Sequence, residues 1–319
     1  MLNPQRLRVF HEVATRGSLA AAARALSFSQ SAVSQQISAL ERELGTSLLD
    51  RTSAGVRLTE PGRALSRHAT AVLSQLREAE REMRAIGAGE AGEVRIGAFT
   101  TAAATLVASA ISELRRVEPG IRISLREGDP DHLLPLVASG ELDFALDFEY
   151  DLVSFDRGEG CERLLLCEEP LLIAMPASHP LSRRRRLDAS DLRDQDWIGG
   201  TAYACNDVLR HVGARAGFEP TIVFESNDYA TVQALIAAGV GFALLPALAL
   251  ANLRSDLVAR EVACFTARRR TFIARRAGGF WSAASRRVDK ALRDAATDTA
   301  AVRGAGTERL RPAGSRGLA

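Results

Sequence analysis

Residues 17–37 read GSLAAAARALSFSQSAVSQQI. Ser18 is a favourable N-cap, and apolar residues follow it at positions 19, 22, 23 and 26, spacings that place them on one helix face. A short turn comes next, and a second apolar stripe falls at positions 33, 37, 40 and 44. The pattern predicts two helices joined by a tight turn, which is the layout of a helix-turn-helix.

The second helix of this pair has a polar outer face. At about 100° per residue, the apolar stripe leaves the opposite side to polar residues, namely Ser31, Ser34, Gln35, Ser38 and Arg42. Serine and glutamine suit the reading of base edges, since the glutamine amide pairs with adenine through two hydrogen bonds. We therefore expect this helix to enter a DNA major groove. The competing interpretation is an ordinary helical hairpin with a solvated polar face, because helix-turn-helix patterns are only moderately specific.

The residues that follow predict a small β-hairpin. Two short apolar pieces lie on either side of a Ser-Ala-Gly turn at residues 53–55, the pattern of two strands joined by a turn. Arg51 and Arg57 flank this hairpin, where they suit contacts with DNA phosphates or an approach to the minor groove. The hairpin would serve as the wing of a winged helix-turn-helix.

The segment from Leu2 to Gly62 resembles the DNA-binding domain of LysR-type transcriptional regulators. The blocks that carry the resemblance are Leu7-Arg8-Val9-Phe10, residues 17–23, residues 29–34, residues 40–45 and Leu58-Thr59-Glu60-Pro61-Gly62. Two departures, Ser31 in place of a common proline and Leu-Leu-Asp-Arg at 48–51 in place of Leu-Phe-x-Arg, leave the fine base preference open. The resemblance implies base contacts from Gln30, Ser31, Ser34 and Gln35, and backbone or wing contacts from Arg51, Thr52 and Arg57.

A long helix is predicted after the hairpin. Residues 63–86 contain no glycine or proline, and their apolar residues fall on a heptad repeat, at Leu65, Ala69, Val72, Leu76, Ala79, Met83 and Ile86. We interpret this helix as the seam of a coiled-coil dimer, and the alternative is a helix lying on the core of its own domain. A dimer would place two recognition helices about 34 Å apart, one turn of DNA. The resemblance likewise implies a homodimer through this helix, commonly within a homotetramer.

Beyond a glycine-rich break at residues 87–92, short strands alternate with helices. This alternation predicts an α/β domain with a mainly parallel sheet, in two units whose crossing connections would form two lobes and a cleft, as in periplasmic binding proteins. His179-Pro180-Leu181 and residues 237–246 match the effector-binding domain of the same family. The resemblance thus extends over about residues 2–290.

The predicted fold class is α/β, with an N-terminal winged helix-turn-helix rich in α-helix, a linker helix and a two-lobed α/β effector-binding domain. The boundaries are 1–62 for the DNA-binding domain, 63–87 for the linker helix and 88–297 for the effector-binding domain. Lobe I would comprise about 93–165 and 269–297, and lobe II about 166–268. Residues 298–319 lack periodicity, so we expect a disordered tail.

The cleft is the expected effector site, because open α/β sheets bind ligands at the carboxyl ends of their strands. Thr100 and Thr101 offer hydroxyl and backbone N–H groups at a helix start. The resemblance adds the loops that contain Glu127 and Asp129, Asp147 and Glu149, and Thr201 and Tyr203. Each of these also fits an ordinary cap or turn. The four acids suggest an effector with a positive group, such as an amino acid.

Composition excludes several other classes of protein. The net charge of +2 permits nucleic-acid binding without establishing it. No apolar run reaches about 18 residues and the N-terminus has no signal-peptide h-region, so we expect a cytoplasmic protein that enters no membrane, rather than a solute-binding protein of transport. Cys161, Cys167, Cys205 and Cys264 show no metal-binding spacing with the histidines, and we expect no metal and no cofactor apart from a small-molecule co-inducer.

These features favour a sequence-specific transcriptional regulator over an enzyme. The sequence has no nucleophile elbow in a Ser-His-Asp order, no phosphate loop and no metal cluster. An effector in the cleft would change the lobe angle or the tetramer shape, and so alter DNA bending and RNA polymerase recruitment at the promoter. A redox sensor that uses Cys205 is a variant of this hypothesis.

Overall fold

The structure, a computed structural model, describes residues 2–52, 55–87, 92–153, 160–200, 203–263, 267–279 and 281–309. The N-terminal part is helical with one hairpin. Its elements are α1 (Pro4–Arg16), α2 (Leu19–Leu26), α3 (Gln30–Leu44), β1 (Leu49–Thr52), β2 (Gly55–Leu58) and α4 (Glu60–Gly87). The predicted helix-turn-helix and its wing are both confirmed, and α1 is a further helix in front of them.

Local capping explains where these helices begin. The Ser18 hydroxyl accepts a hydrogen bond from the backbone N–H of Ala21, as its N-cap role predicts, and Ser29 does the same for Ala32 at the start of α3. The turn between α2 and α3 passes through Ser27, whose φ of 57° is left-handed. Short polar residues tolerate that conformation better than bulky ones, so the turn stays tight.

The two predicted apolar stripes meet in one core. Val33, Ile37 and Leu40 of α3 are buried there together with Ala22 and Ala23 of α2. The small alanine side chains bring the two helices close together. Leu44, which the spacing assigns to the same stripe, is instead 38% exposed, because α3 ends at that residue and Gly45 turns the chain away.

Helix α4 has features of both interpretations of the heptad repeat, the dimer seam and the helix that lies on the core of its own domain. Ala69 and Leu73 are buried against the N-terminal core and Leu65 packs beside them, so part of the helix lies on its own domain. Val72, Leu76 and Met83 are 45%, 42% and 60% exposed. The apolar residues of α4 therefore serve two faces, of which the second is uncovered in the single chain.

The C-terminal part is built on a mixed sheet. Its strands are β3 (Gly92–Ala98), β4 (Ile121–Glu127), β5 (Phe144–Tyr150), β6 (Cys161–Pro176), β7 (Arg186–Leu187), β8 (Asp196–Gly199), β9 (Thr221–Glu225), β10 (Ala243–Pro246), β11 (Leu257–Val262) and β12 (Arg268–Arg276). The main sheet has the order β4-β3-β5-β12-β6-β11-β7, with β10 also paired to β6, while β8 and β9 form a second, two-stranded sheet.

The expectation of a mainly parallel sheet is wrong at its centre. Strands β3, β4 and β5 are parallel to one another, but β12 runs antiparallel to both β5 and β6. The reason is the return of the chain: β6 leaves lobe I and β12 comes back into it. These two strands cross between the lobes side by side.

Helices cover the sheets. They are α5 (Thr100–Ala102), continued by a π-helical turn (Ala103–Val107) into α6 (Ala108–Val117), then α7 (Pro130–Ala138), α8 (Tyr203–Ala216), α9 (Tyr229–Ala237) and α10 (Ala283–Arg309). Helix α10 corrects the expectation of disorder from residue 298, since it continues through Arg309. Residues 295–302 contain four alanines and no glycine or proline, which favours helix over coil. Residues 310–319 lie outside the described part.

The start of α4 is held tightly on the hairpin. The Thr59 hydroxyl donates to the Ser47 carbonyl and accepts from the N–H of Gly62. A Cβ added at Gly62 would lie 2.1 Å from the backbone carbonyl oxygen of Leu48. Only glycine therefore fits where α4 meets the segment before β1.

We expect Gly62→Ala to lower the free energy of unfolding of the N-terminal domain by about 1–3 kcal/mol, because a backbone oxygen must move to admit the methyl group. Chemical denaturation followed by circular dichroism measures this loss. Arg67→Ala, at an exposed position of the same helix, is the control and should change that free energy by less than about 0.5 kcal/mol. Equal stabilities for the two variants would contradict the tight contact.

Candidate functional site

The outer face of α3 is the first candidate site. Gln30, Ser31, Gln35 and Ser38 are exposed, while Ser34 is half-buried. The Ser31 hydroxyl lies 3.0 Å from that of Ser29. Because the opposite side of α3 is fixed in the N-terminal core, these side chains project from a rigid helix. The structure thus brings the five predicted α3 residues to one surface.

The hairpin is fixed beside this helix pair. Strands β1 and β2 are antiparallel, with Arg51 opposite Val56, and the backbone N–H of Val56 donates to the carbonyl of Gly17. Arg57 is exposed. Arg51 and Thr52 lie in β1, but their side chains are outside the described residues. The hairpin therefore holds a constant position relative to the turn before α2.

The second candidate site is a cavity of about 100 Å³ between the lobes. Its described lining is mostly apolar and aromatic, with a few polar groups. The lining residues are Phe99, Thr100, Thr101, Asp129, Phe148, Tyr150, Leu171, Ile198, Gly199, Gly200, Val208, Asn227, Tyr229, Val232, Leu244, Leu245, Pro246 and Arg269. Both lobes and both crossing strands contribute residues to its lining. A change of the angle between the lobes would therefore change the shape of the cavity.

A buried ion pair forms part of the cavity wall. Arg269 of β12 donates through Nε and Nη2 to one carboxylate oxygen of Glu169 on β6, at 2.8 and 2.6 Å. Nη2 also donates to the Thr101 hydroxyl at 2.8 Å, and the other Glu169 oxygen accepts from the N–H of Leu248. Both charged side chains are 1% exposed. Burial alone would lower the pKa of Arg269, but neighbouring groups, with the Glu169 carboxylate foremost, raise it overall, so the guanidinium stays charged.

Three of the expected effector residues lie at this cavity and one lies next to it. Thr100, Thr101 and Asp129 line it. Glu127 accepts a hydrogen bond of 2.7 Å from the Thr100 hydroxyl without lining the cavity itself. Thr201 and the side chain of Tyr203 lie outside the described residues.

Asp147 and Glu149 do not reach the cavity, which corrects the expectation for both. Successive side chains of a strand point to opposite faces, and on β5 it is Phe148 and Tyr150 that line the cavity. Asp147 is fully buried on the other face, where it pairs with Arg163 at 2.7 Å. Glu149 pairs there with both Arg163 and Arg270. These two carboxylates therefore form ion pairs on the face of the sheet that points away from the cavity.

Several cavity residues have no counterpart in the sequence-based expectation. They are Phe99, Phe148, Tyr150, Asn227, Tyr229 and Arg269, and Glu169 behind Arg269 was equally unexpected. Phe99, Phe148 and Tyr150 adjoin expected positions along the chain, so strand alternation could have identified Phe148 and Tyr150. Arg269 stands in a run of three arginines in an arginine-rich chain. No local pattern therefore distinguishes it as a cavity residue.

Other chemistry finds little support in the described part of the chain. It contains no group of three or more His, Cys, Asp or Glu side chains that could hold a metal ion. Burial raises the pKa of the Cys161 thiol, which opposes the thiolate form that redox sensing needs. The side chain of Cys205 lies outside the described residues. No helix among those described is both long enough and apolar enough to span a bilayer.

Comparison with known proteins places both sites in a family. Residues 4–63 match the family described as bacterial regulatory helix-turn-helix protein, lysR family, and residues 87–297 match the LysR substrate binding domain. The uncharacterized HTH-type transcriptional regulator YnfL of Escherichia coli (strain K12) is 31% identical over 249 residues, which cover 76% of this chain and 81% of YnfL. YybE of Bacillus subtilis (strain 168), another uncharacterized HTH-type transcriptional regulator, is 28% identical over 245 residues, covering 76% of this chain and 82% of YybE.

A solved structure shows the same fold along nearly the whole chain. A full-length OxyR variant from Pseudomonas aeruginosa aligns with a TM-score of 0.62 and 24% identity, covering 93% of this chain and 95% of that one. The chain therefore belongs to the LysR family of bacterial transcriptional regulators. It is a DNA-binding transcriptional regulator with an effector-binding domain, and its relatives are regulators rather than enzymes.

Proposed function

We propose that this regulator reads promoter DNA with the exposed face of α3, dimerises through α4 and changes its DNA binding when a small molecule enters the interlobe cavity. The observation that carries the proposal is the position of α4. This one helix packs on the DNA-binding core at its start and contacts lobe I further along. Because the promoter is chromosomal DNA, we propose the cytoplasm as its place of action.

The chemistry of the α3 face favours base reading over simple charge attraction. Glutamine and serine offer donors and acceptors to base edges, and four of the five proposed readers, Gln30, Ser31, Gln35 and Ser38, are exposed. Arg57 on the hairpin supplies a positive charge to the side, where phosphates would lie. We assign Arg51 and Thr52 to the same backbone contact on the family resemblance.

The uncovered stripe of α4 supports the dimer. Val72, Leu76 and Met83 are spaced by four and seven residues, which is the a/d pattern of a coiled coil. Large apolar side chains in a row on an exposed helix face favour burial against a partner. A second copy of the same helix would cover them and present two α3 helices to a two-fold DNA site. A homotetramer and a contact with RNA polymerase are proposed on the family resemblance alone.

Helix α7 supports a route from cavity to linker helix. Its N-cap residue Asp129 lines the cavity, and its nine residues span roughly 14 Å. At its far end, Arg77 of α4 donates to the Ser139 carbonyl at 2.8 Å, and Gly140 sits so close to α4 that an added Cβ would lie 1.8 Å from the Ser74 hydroxyl oxygen. A displacement of Asp129 would thus reach α4 through a rigid element.

Arg77 of α4 meets lobe I at a place where other cations lie nearby. Partial burial, and then the charge of Arg95 nearby, lower the pKa of the Arg77 guanidinium, although Glu141 opposes this shift. Arg95 is itself held by Asp143 and by the Gly140 carbonyl. Arg77 thus bonds a neutral carbonyl beside like charge. We propose this contact as the joint that changes state.

For DNA reading, we expect Gln35→Ala to weaken binding to the preferred site by roughly 1–3 kcal/mol and to relax base choice, since a base-edge contact is lost. Arg57→Ala should instead weaken binding to all sequences and reduce the salt dependence, because a phosphate contact is lost. Fluorescence anisotropy with preferred and scrambled duplexes at several salt concentrations separates the two. Equal losses on every duplex for both variants would show that α3 is not the reading helix.

For the dimer, we expect Leu76→Glu to shift the protein towards monomer, because a carboxylate in an apolar helix seam is strongly disfavoured. Analytical ultracentrifugation measures the association. Gln75→Glu adds the same charge at the neighbouring exposed position and should leave association unchanged. Dimers of equal strength in both variants would place the interface elsewhere on the chain.

For the coupling, we expect binding of a promoter duplex to change amide hydrogen exchange at residues 136–142 in the native protein, and Arg77→Ala to abolish that change. The alanine removes the bond from α4 to the end of α7 and leaves the α3 face intact. Gln75→Ala is the control, because Gln75 is exposed and lies two residues before Arg77 on the other side of α4. This variant should respond like the native protein. The same exchange response in Arg77→Ala as in the control would contradict transmission through this contact.

A further inference from the structure

The cavity carries almost no net charge in its interior. Among its described lining residues only Arg269 and Asp129 are charged. The Arg269 guanidinium is already neutralised by Glu169, which takes two of its N–H groups, and a third contact goes to the Thr101 hydroxyl. An entering carboxylate would therefore find a positive charge that is satisfied, with a buried negative charge directly behind it.

The aromatic wall shields the same guanidinium. Its central carbon lies 4.8 Å from the centre of the Phe99 ring and 5.3 Å from that of Phe148, and the two rings meet edge to face at 4.8 Å. The Phe148 ring in turn stands against Tyr150 at 5.5 Å. These faces attract the cation and present edges and faces of aromatic rings to the cavity. The interior thus offers contact to a flat or unsaturated group.

The remaining carboxylates lie at the mouth. Asp129 is exposed, and Glu127 is exposed and bound to the Thr100 hydroxyl. Because both are exposed, water screens their repulsion of an anion and their attraction for a cation alike. Asp147 and Glu149, which would have favoured a positive effector, face the other side of the sheet in pairs with arginines. Among the described lining residues, neither sign of charge gains a desolvated partner inside.

We infer that the effector is a small uncharged molecule with an aromatic or unsaturated body and one or two hydrogen-bonding groups such as a hydroxyl or an amide. The inference rests on the proposed function, which places the effector in this cavity. Removing an ion from water without a new partner is costly, whereas an apolar body gains contact along the lining and its polar group meets the threonine hydroxyls. Charge balance between Arg269 and Glu169 is what sets this preference.

The experiment uses three probes of nearly equal shape and different charge: benzamide, benzoate and benzylamine. Isothermal titration and ligand-observed NMR with the full-length protein measure their binding, and Thr100→Phe, which fills the mouth, identifies binding in the cavity. We expect benzamide to bind roughly tenfold or more tightly than either ion, and its binding to be lost in Thr100→Phe.

Two variants test the cause of the preference. Glu169→Gln leaves the charge of Arg269 unbalanced and should shift the preference towards benzoate by roughly tenfold or more. The double variant Glu169→Gln with Arg269→Gln has no charge in this wall and should bind benzamide as the native protein does, so it remains informative if the single variant fails to fold.

Tighter cavity binding of benzoate or benzylamine to the native protein would overturn the inference, and so would the absence of cavity binding by all three probes. The proposed function is judged separately, by promoter affinity measured with a cavity-bound probe present. An ionic probe that binds in the cavity more tightly than benzamide and changes promoter affinity refutes the uncharged class alone. A cavity-bound probe of any charge that leaves promoter affinity unchanged counts against the proposed function instead.

Discussion

The ion pair between Arg269 and Glu169 governs how the two lobes meet. The two residues are direct partners in the pairing of β12 with β6. Just beyond them, β6 leaves β12 and pairs with β10, beginning at Leu171 opposite Pro246. The pair thus occupies the point where the sheet passes from one lobe to the other. Its further partners, Thr101 in lobe I and the N–H of Leu248 next to β10, tie both lobes to it.

Two charged side chains can be buried at this place only if the free-energy cost of removing them from water is compensated. Each ion loses its hydration, and the attraction between them compensates only if the remaining polar atoms also find partners. Thr101 and the Leu248 N–H meet that condition, so the burial of the pair depends on the arrangement of the two lobes. On the opposite face of the sheet, the buried Asp147 pairs with the half-buried Arg163, which stacks on the Phe272 ring at 4.0 Å. The crossing strands are therefore held from both sides.

The sequence predicts the helix-turn-helix well because its determinants are local. Helix caps such as Ser18, and apolar residues spaced by three and four, act within one or two helical turns. They can therefore be recognised in a single sequence. The cavity is different. Arg269 and Glu169 are 100 residues apart, and neither belongs to a local pattern. Asp147 and Glu149 were misplaced for another reason, since they were expected in a loop, whereas strand β5 runs through Tyr150. Once inside a strand, alternation decides their face.

Helix α4 makes the DNA-binding and sensing parts mechanically dependent. Its buried residues Ala69 and Leu73 join it to the N-terminal core, Leu76 and Met83 leave a face for a second copy, and Arg77 meets the end of α7. These three contact faces of α4 lie within the same few turns of the helix. In the proposed dimer, the seam would fix the direction of the helix axis, so lobe I could not shift at the Arg77 contact without either breaking it or rotating α4. Rotation would carry the attached α3 helices with it, and their separation on DNA is the quantity that a two-fold site reads. The proposed effector control therefore requires no contact between cavity and DNA, only a change at the contact between α4 and lobe I.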